Sequence, residues 1–524
     1  MSKGEVLKRQ IQYYAYCIGA LFFLKFTKLI GDNGIVYFAI ALESIALIMA
    51  ILGDGISDVY SRMLRTRRKR GLYHDAIAVK ARINFIHIFL GVIFVILCLS
   101  FADAIAIKIF HTAKSALIIR ILSLVLLIRT ISNLFSGYLQ SLGKHLTLAI
   151  ICVVRIFLFG ILGNLLCENR MLYGEKIAAL LKNNDYIGFY GAIGLAISVL
   201  LVEIIILIAL FVLYFFNDSS YDKKNLDRNL HKTESLQETI GNYIYLNNNQ
   251  LCFGIFKRLL IIVPFVILIN NMTASGVFYG KFLPLCSIPM FFMASRYVLL
   301  YSRLYSLNRN KDTRMTREHL QTGIQYTWTV SLLFVALYAV LAPQISESFF
   351  GNDVLLKNML QYGSILILLV AMISYLLMVN IVHNRKLECY ITMLIIIVLQ
   401  IVINKSLYNK LQKPEAVLYA ACITLTIGVL ILGVYTIFIY GLRLEYVYVF
   451  LLPLICVGVA GVIVLLMARY MTPHIGSTLC CIVGFVLGIV IYIAGLSLCR
   501  VFSDLEIERL YGPIGRKLFS FIFK

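Results

Sequence analysis

Charge is scarce in this chain. Only 14% of its 524 residues are Asp, Glu, Lys or Arg, against about 25% in soluble globular proteins. With 60% hydrophobic residues and a mean hydropathy of +0.87, a water-soluble fold could not hide the apolar surface. Soluble enzymes, fibrous chains and disordered chains are thereby excluded. Catalytic and metal motifs are missing as well. There is no Gly-x-x-x-x-Gly-Lys-(Ser/Thr) phosphate loop, so no ATP hydrolysis is expected, and no Gly-x-Ser-x-Gly or His-Glu-x-x-His. His87, His111 and His145 are isolated, and no metal site, cofactor or enzymatic activity is expected. The twelve cysteines show no Cys-x-x-Cys spacing, and Cys98, Cys152, Cys422 and Cys456 fall in apolar segments, which reads as buried reduced thiols. Met1 to Gln10 is short and no small-residue cleavage site follows, so no signal peptide is expected.

What the sequence does hold is a series of continuous apolar runs of helical length, without the alternation of a barrel strand. Fourteen spans are expected, near 11–30, 35–58, 84–107, 115–139, 145–167, 188–216, 256–275, 282–305, 322–346, 355–382, 388–405, 415–440, 446–469 and 475–500. The expected fold is an all-α polytopic membrane protein. Acids number 26 and basic residues 48, a net charge of +22. In a soluble protein that would suggest nucleic acid; here the bases concentrate in alternate loops, so no nucleic-acid partner is expected. Thirty-one Lys/Arg fall on the side holding both termini and thirteen on the other. The positive-inside rule makes the first side cytoplasmic. The basic run Arg62–Arg70 fits an anionic leaflet, so anionic lipids are expected partners.

Two lobes are also expected. Val59-Tyr-Ser-Arg-Met-Leu64 ends the second span and Leu300-Tyr-Ser-Arg-Leu304 ends the eighth, each before a basic loop. The organisation read from this repeat is a lobe over 1–216 with six spans and a polar cytoplasmic linker over 217–255. A second six-span lobe covers 256–440, two further spans lie in 441–500, and an amphipathic cytoplasmic tail occupies 501–524. Such repeats place a substrate site between lobes near the bilayer midplane.

Several segments are similar to the polysaccharide transporter family. Leu29-Ile-Gly-Asp-Asn-Gly-Ile-Val-Tyr-Phe38, Gly53-Asp-Gly-Ile-Ser57 and Tyr60-Ser-Arg62 resemble its first helical hairpin. Phe135-Ser-Gly-Tyr-Leu-Gln-Ser-Leu-Gly-Lys144 resembles its Gly-Tyr-Leu-Gln-Gly-x-Gly turn, and Arg155 matches a recurrent Arg of the fifth span. Tyr279-Gly-Lys-Phe-Leu-Pro-Leu-Cys-Ser-Ile-Pro289 and Leu341-Ala-Pro-Gln-Ile-Ser-Glu-Ser-Phe-Phe-Gly351 resemble the eighth span and the end of the ninth. The family belongs to the multidrug/oligosaccharidyl-lipid/polysaccharide (MOP) exporter superfamily, and the sporulation stage V protein B-like branch is the most similar. The resemblance covers roughly residues 10–440 and implies a MOP/MATE-like fold. Two departures stand out. Cys152 replaces a Glu common three residues before the Arg, and Leu-Tyr-Ser-Arg ends the eighth span where relatives tend to have Pro.

Cations inside spans are the residues' own functional signal, because an Arg at a helix centre costs about 2.5–3.5 kcal/mol on insertion scales. Arg129, Arg155 and Arg296 lie deep, whereas Arg120 lies near an edge and can snorkel. The deep three could line a cavity that binds phosphate, pair with acids or snorkel; guanidinium groups grip phosphate bidentately. Lys25 and Lys28 share a face of the first helix, where the resemblance implies cationic cavity residues. The acids Glu43, Asp54, Asp58 and Glu203 are either a coupling relay for H+ or Na+ or partners for the arginines. Asn270 and Asn271 could coordinate a cation through amide oxygens or hydrogen-bond between helices.

The expected function, inherited mainly from the resemblance, is a flippase. It would move a lipid-linked, polyprenyl-diphosphate oligosaccharide or cell-wall/polysaccharide precursor across a prokaryotic cytoplasmic membrane by alternating access. Polysaccharide biosynthesis makes glycan polymerases or glycosyltransferases candidate partners. The alternatives are a cation-coupled multidrug antiporter of the same superfamily and a non-transporting membrane scaffold of a glycan-synthesis complex.

Overall fold

The structure is a computed structural model. It describes residues 3–52, 55–221, 234–503 and 505–510, with side chains omitted for 218–221. Among the described residues every regular element is a helix. They run α1 (Lys3–Leu52), α2 (Ile56–Lys69), α3 (Tyr73–Ala104), α4 (Ser115–Ser141), α5 (His145–Leu181), α6 (Asp185–Tyr221), α7 (Leu236–Leu268) and α8 (Met272–Gly276). Then follow α9 (Leu283–Arg309), α10 (Thr313–Val340), α11 (Ala342–Phe350), α12 (Val354–Gly363), α13 (Ile365–Val382), α14 (Lys386–Leu411), α15 (Glu415–Tyr440) and α16 (Leu452–Leu498).

Among the described residues twelve helical stretches are long and apolar enough to cross a membrane. Two are unusually long: α1 alone has 50 residues and Val447–Leu498 has 52. At 1.5 Å per residue these would reach about 75 and 78 Å, far beyond a hydrocarbon core of about 30 Å. Each breaks at a glycine with left-handed φ, Gly31 (φ 75°) and Gly476 (φ 77°), a conformation L side chains rarely tolerate. Each of the two therefore has the length for two crossings, which brings the candidate crossings among the described residues to the expected fourteen. The chain is a polytopic helical membrane protein.

Local chemistry explains where the boundaries shift. The polar stretch 236–255, expected as linker, is helical, because Ser235 and Glu238 form a reciprocal capping box that starts α7. α7 ends at Leu268, so Asn270 and Asn271 lie beyond it and not within the span; Asn271 caps α8. The ninth span stops at Val340, since Pro343 cannot continue the ladder and instead opens the separate helix α11. The expected span 355–382 is divided into α12 and α13.

By packing, the chain divides into two compact units, Ser2–Tyr279 and Gly280–Lys524. In the N-terminal unit, Tyr60, Met63, Val79, Leu134 and Tyr138 knit α2, α3 and α4 together, and Leu139, Leu148, Val202 and Ile206 join α4, α5 and α6. Glycines set the closest crossings. A Cβ on Gly34 would lie 2.7 Å from the Gly188 carbonyl oxygen, and one on Gly194 would lie 2.5 Å from that of Leu166. Such backbone approach is how membrane helices gain packing without a hydrophobic drive. Gly194→Val is expected to lower stability by about 1–3 kcal/mol, because the obstructing atoms are backbone; thermal unfolding in detergent reads the loss.

In the C-terminal unit, tyrosine hydroxyls donate to helix carbonyls: Tyr338 to Leu285 (3.0 Å), Tyr375 to Leu320 (3.2 Å) and Tyr492 to Thr329 (2.9 Å). The described tail residues 505–510 are helical. Arg303 donates to the Arg509 carbonyl, Arg509 pairs with Glu318, and Ile507 and Leu510 are buried. The rest of the expected tail, 511–524, and residues 222–233 of the expected linker lie outside the described residues.

Candidate functional site

Five helices of the N-terminal unit bring charged groups together. Near the start of α1, Lys8 Nζ donates to Gln140 Oε1 at 2.6 Å and Arg9 Nη2 donates to Asp58 Oδ2 at 2.9 Å. Gln140 Nε2 donates to the other Asp58 oxygen at 2.8 Å. Asp58 is thus the anchor of a network joining α1, α2 and α4. Lys8 is buried, and the amide and carboxylate around it provide the partners a buried charge requires.

Eight residues farther along α1, about 12 Å by helix rise, Tyr16 lies in the electrostatic neighbourhood of Cys152 of α5. Arg129 of α4 and Arg155 of α5 both act electrostatically on this pair, and Lys8 also acts on Cys152. Arg155 Nη2 lies 3.4 Å from Glu203 Oε2 of α6. The Glu203 side chain is 6% exposed and that of Arg155 25%, so the guanidinium keeps an accessible edge. Its Nε is buried without a hydrogen-bond partner. Lys8, Arg9, Arg65, Arg129 and Arg155 stand against Glu5, Asp58 and Glu203, a surplus of cations. A guanidinium that is half desolvated, held by one carboxylate and open on its other edge can take a phosphate oxygen.

A second buried group lies elsewhere in this unit. Glu43 accepts from the Tyr279 hydroxyl at 2.6 Å and lies 3.4 Å from Arg258 Nη1. Neither Arg258 nor Tyr279 was expected at a site. Arg258 follows Lys257 and reads as the basic flank of a helix starting at 256, but it sits 22 residues into α7. Lys8 is likewise read as a terminal loop residue although α1 begins at Lys3. Tyr16 gives no signal distinct from an ordinary apolar-face tyrosine.

The other expected residues are dispersed. Lys25 and Lys28 are exposed on α1. Arg296 is half-buried on α9, in the C-terminal unit. Arg120 pairs with Asp103 at 2.6 Å on the surface. Asn270 and Asn271 are exposed at the α7–α8 corner, where Asn271 Oδ1 accepts from the Ala274 amide at 3.1 Å. Asp54 lies outside the described residues. In the C-terminal unit a buried pair not foreseen joins Lys281 to Asp353 at 2.7 Å.

No protein-family model and no curated protein matches this sequence. Solved structures do. A lipid II flippase, MurJ, in an inward closed conformation superposes with a TM-score of 0.64 at 15% identity, covering 94% of this chain and 98% of that one. An inward-facing multidrug resistance MATE family transporter of the MOP superfamily gives 0.61 at 14% identity, over 83% of this chain and 98% of that one. The fold is that of the MOP superfamily. A MOP superfamily transporter from Pyrococcus furiosus, described as having a binding pocket of reverse polarity, gives 0.58 at 13% identity over 84% of this chain and 95% of that one. The flippase similarity extends over ten percentage points more of this chain than either of these two similarities.

Proposed function

We propose that this chain is a flippase for a polyprenyl-diphosphate-linked oligosaccharide or cell-wall/polysaccharide precursor, working by alternating access in a prokaryotic cytoplasmic membrane. One observation supports this most: Arg155, 3.4 Å from Glu203, keeps an accessible guanidinium edge in a unit that also buries Lys8 and carries Arg9 and Arg129 on neighbouring helices. An anionic diphosphate matches that cationic lining, and the lipid tail can stay in the bilayer while the head group passes. The flippase fold supports it further. Both termini are cytoplasmic in this reading, and a glycan polymerase or glycosyltransferase takes the product. Within the site, Arg129 and Arg155 carry the phosphate. Arg296, Lys25 and Lys28 assist along the route, and Asp58 and Glu203 hold cations in place.

A cation-carrying drug antiporter wants unpaired acids in its binding site. Here Glu43 lies beside Arg258 and Glu203 beside Arg155, which favours the anionic cargo. Sodium or proton coupling would then fall to Glu43, the most deeply buried carboxylate among the described residues of the N-terminal unit.

The test is reconstitution in vesicles with an inner-leaflet lipid-linked oligosaccharide, read by its accessibility to an added glycosidase. Time-dependent exposure that needs the protein is the expected result. Exposure no faster than in protein-free vesicles, together with uptake of a cationic dye, would support the antiporter instead.

A further inference from the structure

The C-terminal unit contains a cavity of about 330 Å³ where α10, α11 and α12 approach the first half of α16. Its size falls in the range of small-ligand sites, roughly 300–1,000 Å³. Val340, Pro343 and Leu465 form an apolar wall, and Gln344, Gln361 and Arg469 supply the polar groups. Gln344 Nε2 donates to Thr472 Oγ1 at 3.3 Å. That bond fixes the amide, and its Oε1 is left buried with no hydrogen-bond partner. A buried acceptor left unmade costs free energy, so a donor is called for there. Arg469 is exposed and has no ion-pair partner among the described residues. Its neighbours along α16, Val462, Leu465, Leu466 and Tyr470, are exposed apolar or aromatic side chains at the end of a crossing, the signature of a lipid-facing interface.

We propose that this cavity binds the headgroup of an anionic phospholipid whose polar end carries a hydroxyl, such as phosphatidylglycerol. The phosphate lies on Arg469, and a headgroup hydroxyl donates to Gln344 Oε1. The acyl chains follow the apolar surface beside Leu465. The site asks for an anion and a donor on one molecule. A choline headgroup offers no donor, and a free phosphate ester offers no chain. The inference is independent of the transported cargo, because it concerns a resident lipid held by the C-terminal unit alone.

The test uses the purified full chain in detergent, with lipid adducts counted by native mass spectrometry and unfolding followed thermally. Phosphatidylglycerol is expected to be retained about tenfold better than phosphatidylcholine, and R469Q to lose about tenfold in that retention. R469K, which keeps charge but not the planar fork, should fall between. Q344M should bring phosphatidylglycerol down toward the choline lipid while leaving the wild-type fold. Equal retention of the two lipids, or wild-type retention by both R469Q and Q344M, would overturn the proposal. Glycerol 3-phosphate in the same thermal assay separates the sources. An Arg469-dependent stabilisation equal to that by phosphatidylglycerol would mean a soluble phosphate ester and would reject the lipid.

Discussion

Replacing Arg155 by Gln is expected to slow flipping roughly ten- to a hundredfold, the loss of one hydrogen-bonded charge contact of about 1.5–3 kcal/mol. Arg155→Glu should abolish flipping. It would set a second carboxylate beside Glu203, now 3.4 Å from the guanidinium, in a region where the acid is almost fully buried. Two like charges there both destabilise the unit and repel a diphosphate. The pair also offers a control that separates these effects. R155E with E203R restores an ion pair between α5 and α6 and should recover thermal stability. It moves the cation to another helix, away from Cys152 and Tyr16, so transport should stay low. If the swap recovers both stability and flipping, Arg155 is only structural. Arg129→Glu should likewise stop transport, since Arg129 acts on the same Tyr16–Cys152 pair.

The second large effect concerns folding. Glu43→Ala should destabilise the N-terminal unit by about 1.5–3 kcal/mol, the usual cost of losing a hydrogen-bonded charged group, since Arg258 is 27% exposed and water can reach it. Arg258 would lose its carboxylate and the Tyr279 hydroxyl its acceptor at 2.6 Å. Glu43→Gln keeps an oxygen for Tyr279 and should lose less. E43A combined with R258M removes both charges and should recover much of the loss, because a well-packed apolar pair can replace a buried ionic one. Thermal unfolding of wild type, E43A, R258M and the double variant in one detergent gives the coupling directly, with E43Q measured alongside. If E43A and E43Q unfold at the wild-type temperature, Glu43 bears no structural load.

The crossings were readable because bilayer thickness demands about 20 consecutive apolar residues, a signal no single substitution obscures. The bends were legible as well: the expected spans are interrupted at 31–34 and 470–474, at or beside the glycines Gly31 and Gly476 where the helices break. Helix starts misled where polar residues belong to a helix. Arg258 and Lys8 look like end-of-span cations, because a basic, polar flank normally ends a span. A capping box at Ser235 and an early start at Lys3 carry the helices past those flanks. Depth alone marked Arg129 and Arg155, since an intramembrane Arg is costly whatever its neighbours. Their partners were not legible. Glu203 meets Arg155 where α5 and α6 pack closely, with Gly194 against the Leu166 backbone. Pairing across helices depends on rotation about each helix axis, which hydropathy does not encode.

The central claim is tested most directly by depleting this protein in its native host and measuring the extracted lipid-linked glycans by mass spectrometry. The account predicts that one polyprenyl-diphosphate-linked species accumulates on the cytoplasmic side, which would also name the cargo. An unchanged glycan pool, with increased sensitivity to cationic compounds, would contradict it and point to drug export.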